Sequence, residues 1–511
     1  MGATVTSFYF LCFLLCVLAV YYISPIRFRR VVILIASIAY YILSGNGLLM
    51  VFPVVTTLIS WAGVLLMERT EKKKAVLVAV TLLDLLPLIV LKYVNFFINT
   101  VNGIAFAASS WTNADPVIPN IALAVPLGIS FYTFSALSYT IDFYNGTAEK
   151  EKDYLKLLSY VMFFPAVLSG PIRRYRFDAK GLNEGNKLDY HNLTFGAQRM
   201  LWGFFKTFVI SERMKIISSR IYDTPGVYGG ICAITGTVCY AFELYTNFSG
   251  CMDIVLGISQ MLGYELPENF NTPFFAKSIQ EFWRRWHITL GVWMKEYVFY
   301  PVLRTKAFTA LNDKCKKKYG SKKGKQIANI PALLILWLTV GLWHGGDWKY
   351  VIGSGLLHWL YIVCGQLLTP YTDRLLTFLK IKKDAKWLDV LRVIRTFILV
   401  NIGFIFFRAH SLGESIQVFG SMFRIHVPVA EFIEKLGEDG LDWIEVGILL
   451  ISLVVLTVVS VLQQKGSVRE MIDKKSLPIR WIIWFALLFF TLLTGYYGPG
   501  YSAAEFIYQG F

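Results

Sequence analysis

SIQEFWRRWHITLGVWMKEYVFYP, residues 278–301, and LTVGLWHGG, residues 338–346, decide how this chain is read. Between them Arg304 to Lys325 holds nine lysines and arginines against one acid. The two runs put His287 and His344 on separate segments that both read as membrane-embedded. Ser278-Ile279-Gln280-Glu281 has the form of a capping box, which predicts a helix start. On that helix Trp283 and His287 stand four residues apart on one face, with Arg284 flanking it. Arg285 turns away and can pair with Glu281 one turn back. Trp283, Trp286 and Trp293 fit a helix lying at a membrane interface. From Ile330 to Trp343 no residue is charged, and His344 closes the run before Gly345 and Gly346. Fourteen helical residues rise about 21 Å. With the basic loop at one membrane face, Trp343 and His344 lie inside a hydrocarbon layer about 30 Å thick. A histidine there is expected neutral and needs a partner or water. Ionisable groups at that depth usually mark function; the alternative is that both histidines only pack.

Composition agrees with a membrane. Of 511 residues 55% are hydrophobic, and the mean hydropathy is +0.52. The expected fold is an all-α polytopic membrane protein of roughly 11–13 membrane segments, some re-entrant or kinked. The net charge of +16 does not indicate nucleic acid, because the basic residues fall in short loops between apolar runs. Seven cysteines form no CxxC pair and no metal-ligand spacing. Cys12, Cys16, Cys232, Cys239, Cys251 and Cys364 read as small core residues, and Cys315 as a loop cysteine. No metal site is implied.

Outward from the deciding stretch, charge sets the topology. Residues 7–24 precede PIRFRR; a signal peptide carries its charge before the apolar core, so this reads as a retained first helix with its N-terminus outside. Arg27, Arg29 and Arg30 mark the cytoplasmic side, Val31–Leu43 returns outward, and Leu48–Met67 comes back to ERTEKKK. Asp84 and Lys92 interrupt the next span and read as structural. WTNADPVIPN, 111–120, is expected outside. In the aromatic span after it Ser138 and Asp142 can bond one another. FFPAVLSGPIRRY, 163–175, should kink or re-enter at Pro165, Gly170 and Pro171, leaving Arg173, Arg174 and Arg176 at a polar boundary. Residues 190–222, with Arg199, Lys206, Arg213, Lys215 and Arg220, read as an amphipathic or partly buried helix, with a charged membrane-surface face expected over burial. Within Ile231–Ile258, Tyr240, Glu243 and Asn247 form a polar stripe that should face protein or water; it is a channel-lining candidate. The 304–325 loop is expected cytoplasmic, which directs the following helix outward. His358 reads as packing, and His191, His410 and His426 as surface or interface residues. Two last spans, Trp443–Leu462 and Ile479–Tyr496, flank a basic inside turn.

Several enzyme signatures are missing. GISQM lacks the last glycine of a nucleophile elbow, GSKKGK is too short for a P-loop, and there is no HExxH. The acid–base groups left at membrane depth are histidines and a few carboxylates. A neutral histidine in a low-dielectric site is a plausible base for acyl transfer to an alcohol.

PENFNTPFFAKSIQEFWRRWHITLGVW, 267–293, followed by GLWHGGDW, 341–348, resembles the membrane-bound O-acyltransferase family. The alginate O-acetyltransferase branch is the nearest in pattern, with a further likeness to the D-alanyl transferases of teichoic acid. VPLGISFYTFSALSYTIDFYNG, FFPAVLSGPIRRY and the later FFRA stretch fit the same pattern. The resemblance implies one integral-membrane domain over 1–511: N-terminal spans to 120, a core over 121–425, and C-terminal spans over 426–511. It implies a central channel lined by both histidines, with His344 the catalytic one and His287 beside it. Tyr240, Glu243, Asn247, Trp283, Arg284 and Trp343 are the candidates for lining the channel or binding substrate. It also implies an acyl donor on the cytoplasmic side, acetyl-CoA or an acyl-carrier thioester, used as substrate with no bound cofactor. The acceptor would be an extracytoplasmic polysaccharide or a secreted acetyltransferase, and the membrane the bacterial cytoplasmic membrane. The chain departs from the family at Lys295-Glu296-Tyr297, where the family has RDY, and at Val302-Leu303, where glycines are common. The alternatives are a D-alanyl transferase, or a polysaccharide or lipid flippase, whose activity would survive loss of His344.

Overall fold

The computed structural model describes residues 4–109, 118–425 and 427–497. Most of WTNADPVIPN and all of His426 lie outside these residues. The described residues are mainly helical, and the one β feature among them is an isolated antiparallel bridge between Phe270 and Trp286. Seven described helices are long and apolar enough to cross a membrane unaided: Leu48–Arg69, Lys73–Ala105, Ser321–His344, Tyr350–Phe378, Lys386–Arg408, Trp443–Gln463 and Leu477–Thr494. The further segments behind the expectation of 11–13 are shorter or more polar. Phe8–Ile23 and Ile129–Tyr144, for instance, have 16 residues each, which rise about 24 Å at the helical repeat. The long helices leave Val454, Val458, Trp481, Ile482 and Leu493 exposed. Such faces belong against lipid tails and would drive aggregation in water.

The chain divides into two compact units, one of residues 1–201 and 251–267, the other of 202–250 and 268–497. In the first, the 163–174 strap is a short helix, Phe164–Val167, followed by extended chain, and it is buried. Ser37 accepts from the Phe164 N–H at 3.0 Å. Arg173 is buried and not at a polar boundary, since its guanidinium donates to the Tyr160 carbonyl and lies 4.5 Å from that ring. Ser138 does not seek Asp142; its hydroxyl donates to the Ser135 carbonyl and accepts from the Tyr175 N–H. Asp142 pairs with Arg176 at 3.6 Å. Asp84 has the structural place expected of it, buried and accepting from Ser60 at 2.6 Å.

Two further expectations are corrected, at residues 202–222 and 304–325 of the second unit. Residues 190–222 do not present all their charges on a surface face; for Lys206 and Arg213 the buried alternative holds. Lys206 and Arg213 are only 3% and 1% exposed. Lys206 donates to Ser249 at 2.8 Å. Arg213 pairs with Glu445, donates to the carbonyls of Val209 and Thr494, and lies 4.5 Å from the Tyr496 ring. Buried cations persist only with such partners. Residues 304–325 are also not a loop: Lys306–Tyr319 is a helix, and the next helix begins at Ser321. The turn is sharp because Gly320 ends the first helix. Cys315 is buried inside this hairpin, whereas Cys12, Cys16 and Cys364 lie on exposed helix faces and not in a core.

Candidate active site

Ser278 caps the helix Ile279–Arg285 as expected, accepting from the Glu281 N–H at 3.2 Å. Glu281 reaches back to the N–H of Lys277, one residue beyond the cap, and its carboxylate holds Arg285 at 2.7 Å. The helix then stops. Trp286 is extended and His287 takes left-handed backbone angles, φ 45° and ψ 52°. A non-glycine residue in this region costs about 1–2 kcal/mol and persists only where its surroundings impose it. Here residues 269–272 impose it. Phe270 bridges Trp286, the Asn271 N–H donates to the Arg285 carbonyl at 2.9 Å, and the Ile288 N–H donates to the Asn269 carbonyl at 3.0 Å.

The break redistributes the predicted residues. Trp283 and His287 do not share a helical face. Trp283 donates from Nε1 to His358 Nδ1 at 3.3 Å and stands edge-on to Trp337. His358 thus has the packing place expected of it. Arg284 is exposed and near Lys295, whose pair of charges repel. Trp286 and Trp293 are buried in protein, not at a lipid interface. Trp286 stacks on Phe282 at 5.4 Å and meets Phe270 edge-on at 5.1 Å.

His287, 2% exposed, turns toward the other histidine segment. Its ring stands 5.5 Å from the Trp343 indole, and His344 stands 4.9 Å from the same indole. The two imidazoles expected to act together therefore flank one buried ring. His344, 3% exposed, is the last residue of its helix and meets Phe407 edge-on at 5.2 Å. The glycines of GLWHGG have a steric reason. A Cβ at Gly341 would stand 2.8 Å from the Tyr350 carbonyl, and one at Gly345 would stand 2.5 Å from the Tyr350 ring. The helix ending at His344 thus lies directly on the π-helical turn Tyr350–Leu356.

The polar stripe is buried, and close in sequence to a residue that touches His287. Tyr240, Glu243 and Asn247 are all buried on the helix Gly230–Met261. Phe248, next after Asn247, meets His287 edge-on at 4.9 Å. Ser218 donates to the Glu243 carboxylate, and Arg408 is close enough to act on it electrostatically. The helix Lys386–Arg408 touches both groups: Phe404 lies 6.5 Å from Tyr240, and Phe407 meets His344 at 5.2 Å. Replacing Glu243 by glutamine keeps an oxygen for Ser218, so the variant is expected to fold. It removes the carboxylate that faces Arg408, and transfer is expected to fall roughly tenfold, a barrier change of about 1.4 kcal/mol. Initial rates in membranes with matched protein levels check this, and an unchanged rate returns the stripe to packing.

Two residues near the histidines escaped the sequence reading. Asn269, inside the PENFNT motif, accepts from the Thr289 N–H at 3.0 Å and from its hydroxyl at 2.8 Å, and lies 3.3 Å from His287 Nδ1. Lys349 is buried five residues past His344 and donates to the Ala409 carbonyl. A buried lysine so close to GLWHGG was visible as a charge; Asn269 had no periodicity to betray it.

A family model described as MBOAT, membrane-bound O-acyltransferase family, matches residues 59–314. The probable alginate O-acetylase AlgI of Azotobacter vinelandii is 30% identical over 451 residues, 87% of this chain and 82% of that protein. A peptidoglycan O-acetyltransferase of Helicobacter pylori is 28% identical, over 65% of this chain and 61% of its own length. The teichoic acid D-alanyltransferase of Bacillus subtilis is 29% identical, over 55% of this chain and 68% of its own.

Proposed function

The chain belongs to the membrane-bound O-acyltransferase family, and from that premise we propose that it moves an acetyl group across the membrane for O-acylation of an extracellular polysaccharide. It is a multi-pass membrane protein and an O-acyltransferase. The observation that carries the proposal is the pair of buried imidazoles within 5.5 Å of one indole, a constellation suited to proton transfer in a low-dielectric site. In this reading the oxygen of an acceptor hydroxyl attacks the carbonyl carbon of an acyl thioester, and His344 takes the hydroxyl proton. The C–O bond forms, the tetrahedral intermediate collapses, and the C–S bond breaks. The departing thiolate then receives the proton held by His344. His287 orients a substrate group or stabilises charge, and no acyl-enzyme is needed.

The donor is a substrate, acetyl-CoA or an acyl-carrier thioester, reaching the site from the cytoplasmic side of a bacterial cytoplasmic membrane. The acceptor is an extracytoplasmic polymer, or a secreted acetyltransferase that relays the group. Acetyl is favoured over D-alanyl because the alginate-type relative aligns with 87% of the chain and the D-alanyl relative with 55%. Deletion of the gene, followed by mild alkaline release of esters from the surface polymer, tests the reading. Loss of released acetate is expected. Loss of released D-alanine would transfer the chain to the D-alanyl reaction, and unchanged ester content would overturn the proposal.

A further inference from the structure

Asn269 is 1% exposed and makes its contacts to Thr289 and His287 through one atom, Oδ1. A backbone N–H can only donate, so the atom facing the Thr289 N–H at 3.0 Å is the amide oxygen and not the amide nitrogen. That oxygen has no hydrogen to offer the imidazole. The contact with His287 Nδ1 at 3.3 Å is therefore a hydrogen bond only when Nδ1 carries the hydrogen. In the neutral ring this leaves the lone pair on Nε2. With the opposite tautomer two lone pairs would face each other inside the protein. The buried ring is hemmed in by Phe248, edge-on at 4.9 Å, and by the Trp343 indole at 5.5 Å, which hinders it from swinging away.

We propose that Asn269 is a positioning residue that sets the tautomer of His287, so that Nε2 accepts a hydrogen bond from an O–H or N–H of the bound substrate and does not donate to the developing oxyanion. The inference rests on the reading of His287 as part of the acyl-transfer site, and it decides between the two roles left open there. A neutral imidazole donates from one nitrogen only, and in His287 that donor is committed to Asn269. Orientation of a substrate hydrogen is then its task, and charge on the tetrahedral oxygen is met by other groups.

Solid-state NMR of histidine-labelled full-length protein in lipid bilayers reads the tautomer directly, with the His287 signal identified by its loss in His287→Gln. The native protein is expected in the Nδ1–H form. Asn269→Leu removes the acceptor at similar volume; His287 should move to a population dominated by Nε2–H, and kcat should fall roughly 10²-fold with less change in KM. Asn269→Ala makes the same test should leucine not be accommodated. Asn269→Asp keeps the accepting oxygen and should keep both the tautomer and most of the rate. A native His287 in the Nε2–H form overturns the proposal, as does an Nδ1–H form that survives loss of the acceptor. A tautomer that switches while transfer stays unchanged upholds the clamp; what then falls is the placement of His287 in the reaction.

Discussion

Replacing His344 by alanine is expected to abolish acyl transfer while the protein remains in the membrane. A general base contributes about 10² to 10⁴ in rate, and more where water cannot take its place. The local structure sets the controls. The two glycines after His344 suggest an open backbone from the sequence, yet the residue is buried against Trp343 and Phe407. Gly345 is closed in by Tyr350. Truncation to alanine therefore leaves a void, and buried large-to-small changes cost about 2–5 kcal/mol. His344→Gln, which fills more of that space and cannot act as a base, separates the two effects. Both variants should lose transfer, and the glutamine variant should extract and elute like the native protein. The readout is the O-acyl content of the surface polymer against protein level in the same membranes. A folded His344→Gln protein that acylates at the native rate would make GLWHGG a packing motif.

Gly128→Ala is expected to have the largest effect on stability. Gly128 has φ 76° and starts the helix Ile129–Tyr144. A Cβ there would stand 2.2 Å from the Val167 carbonyl oxygen and 3.4 Å from the Leu168 Cα. The obstacle is backbone of the buried 163–174 strap and cannot rotate aside. Left-handed angles cost an alanine about 1–2 kcal/mol, and overpacking a core typically costs about 1–3 kcal/mol. Together, at about 2–5 kcal/mol, they are a large fraction of the net stability of a typical domain, about 5–15 kcal/mol. Heating detergent-extracted protein before size-exclusion chromatography should show a transition several degrees lower and a smaller monodisperse peak. Gly146 also has positive φ but has open space around it, so Gly146→Ala should suffer less. Equal effects at both positions would mean that backbone conformation alone decides, not contact with the strap.

Much of the architecture was legible because the forces behind it act along a short stretch of chain. The uncharged run from Ile330 to Trp343 continues the helix that starts at Ser321, and the 24 residues together are long enough to cross a membrane. The Ser278 cap and the Glu281–Arg285 pair form within one turn. The two histidines stood out because an ionisable group in an apolar run is costly wherever it lands. Other features depend on partners far away in sequence. Periodicity carried the helix on through His287, but pairing with residues 269–271 ends it at Arg285. That one break parts Trp283 from His287 and turns the imidazole to Asn269. Lys206 and Arg213 read as surface charges, because nothing near them foretells a serine 43 residues on or a carbonyl 281 residues on. Sequence alone determined a helical membrane protein with two unusual histidines. Only the tertiary structure decided that both flank Trp343, since a hydropathy pattern specifies which faces avoid water but not which buried faces meet.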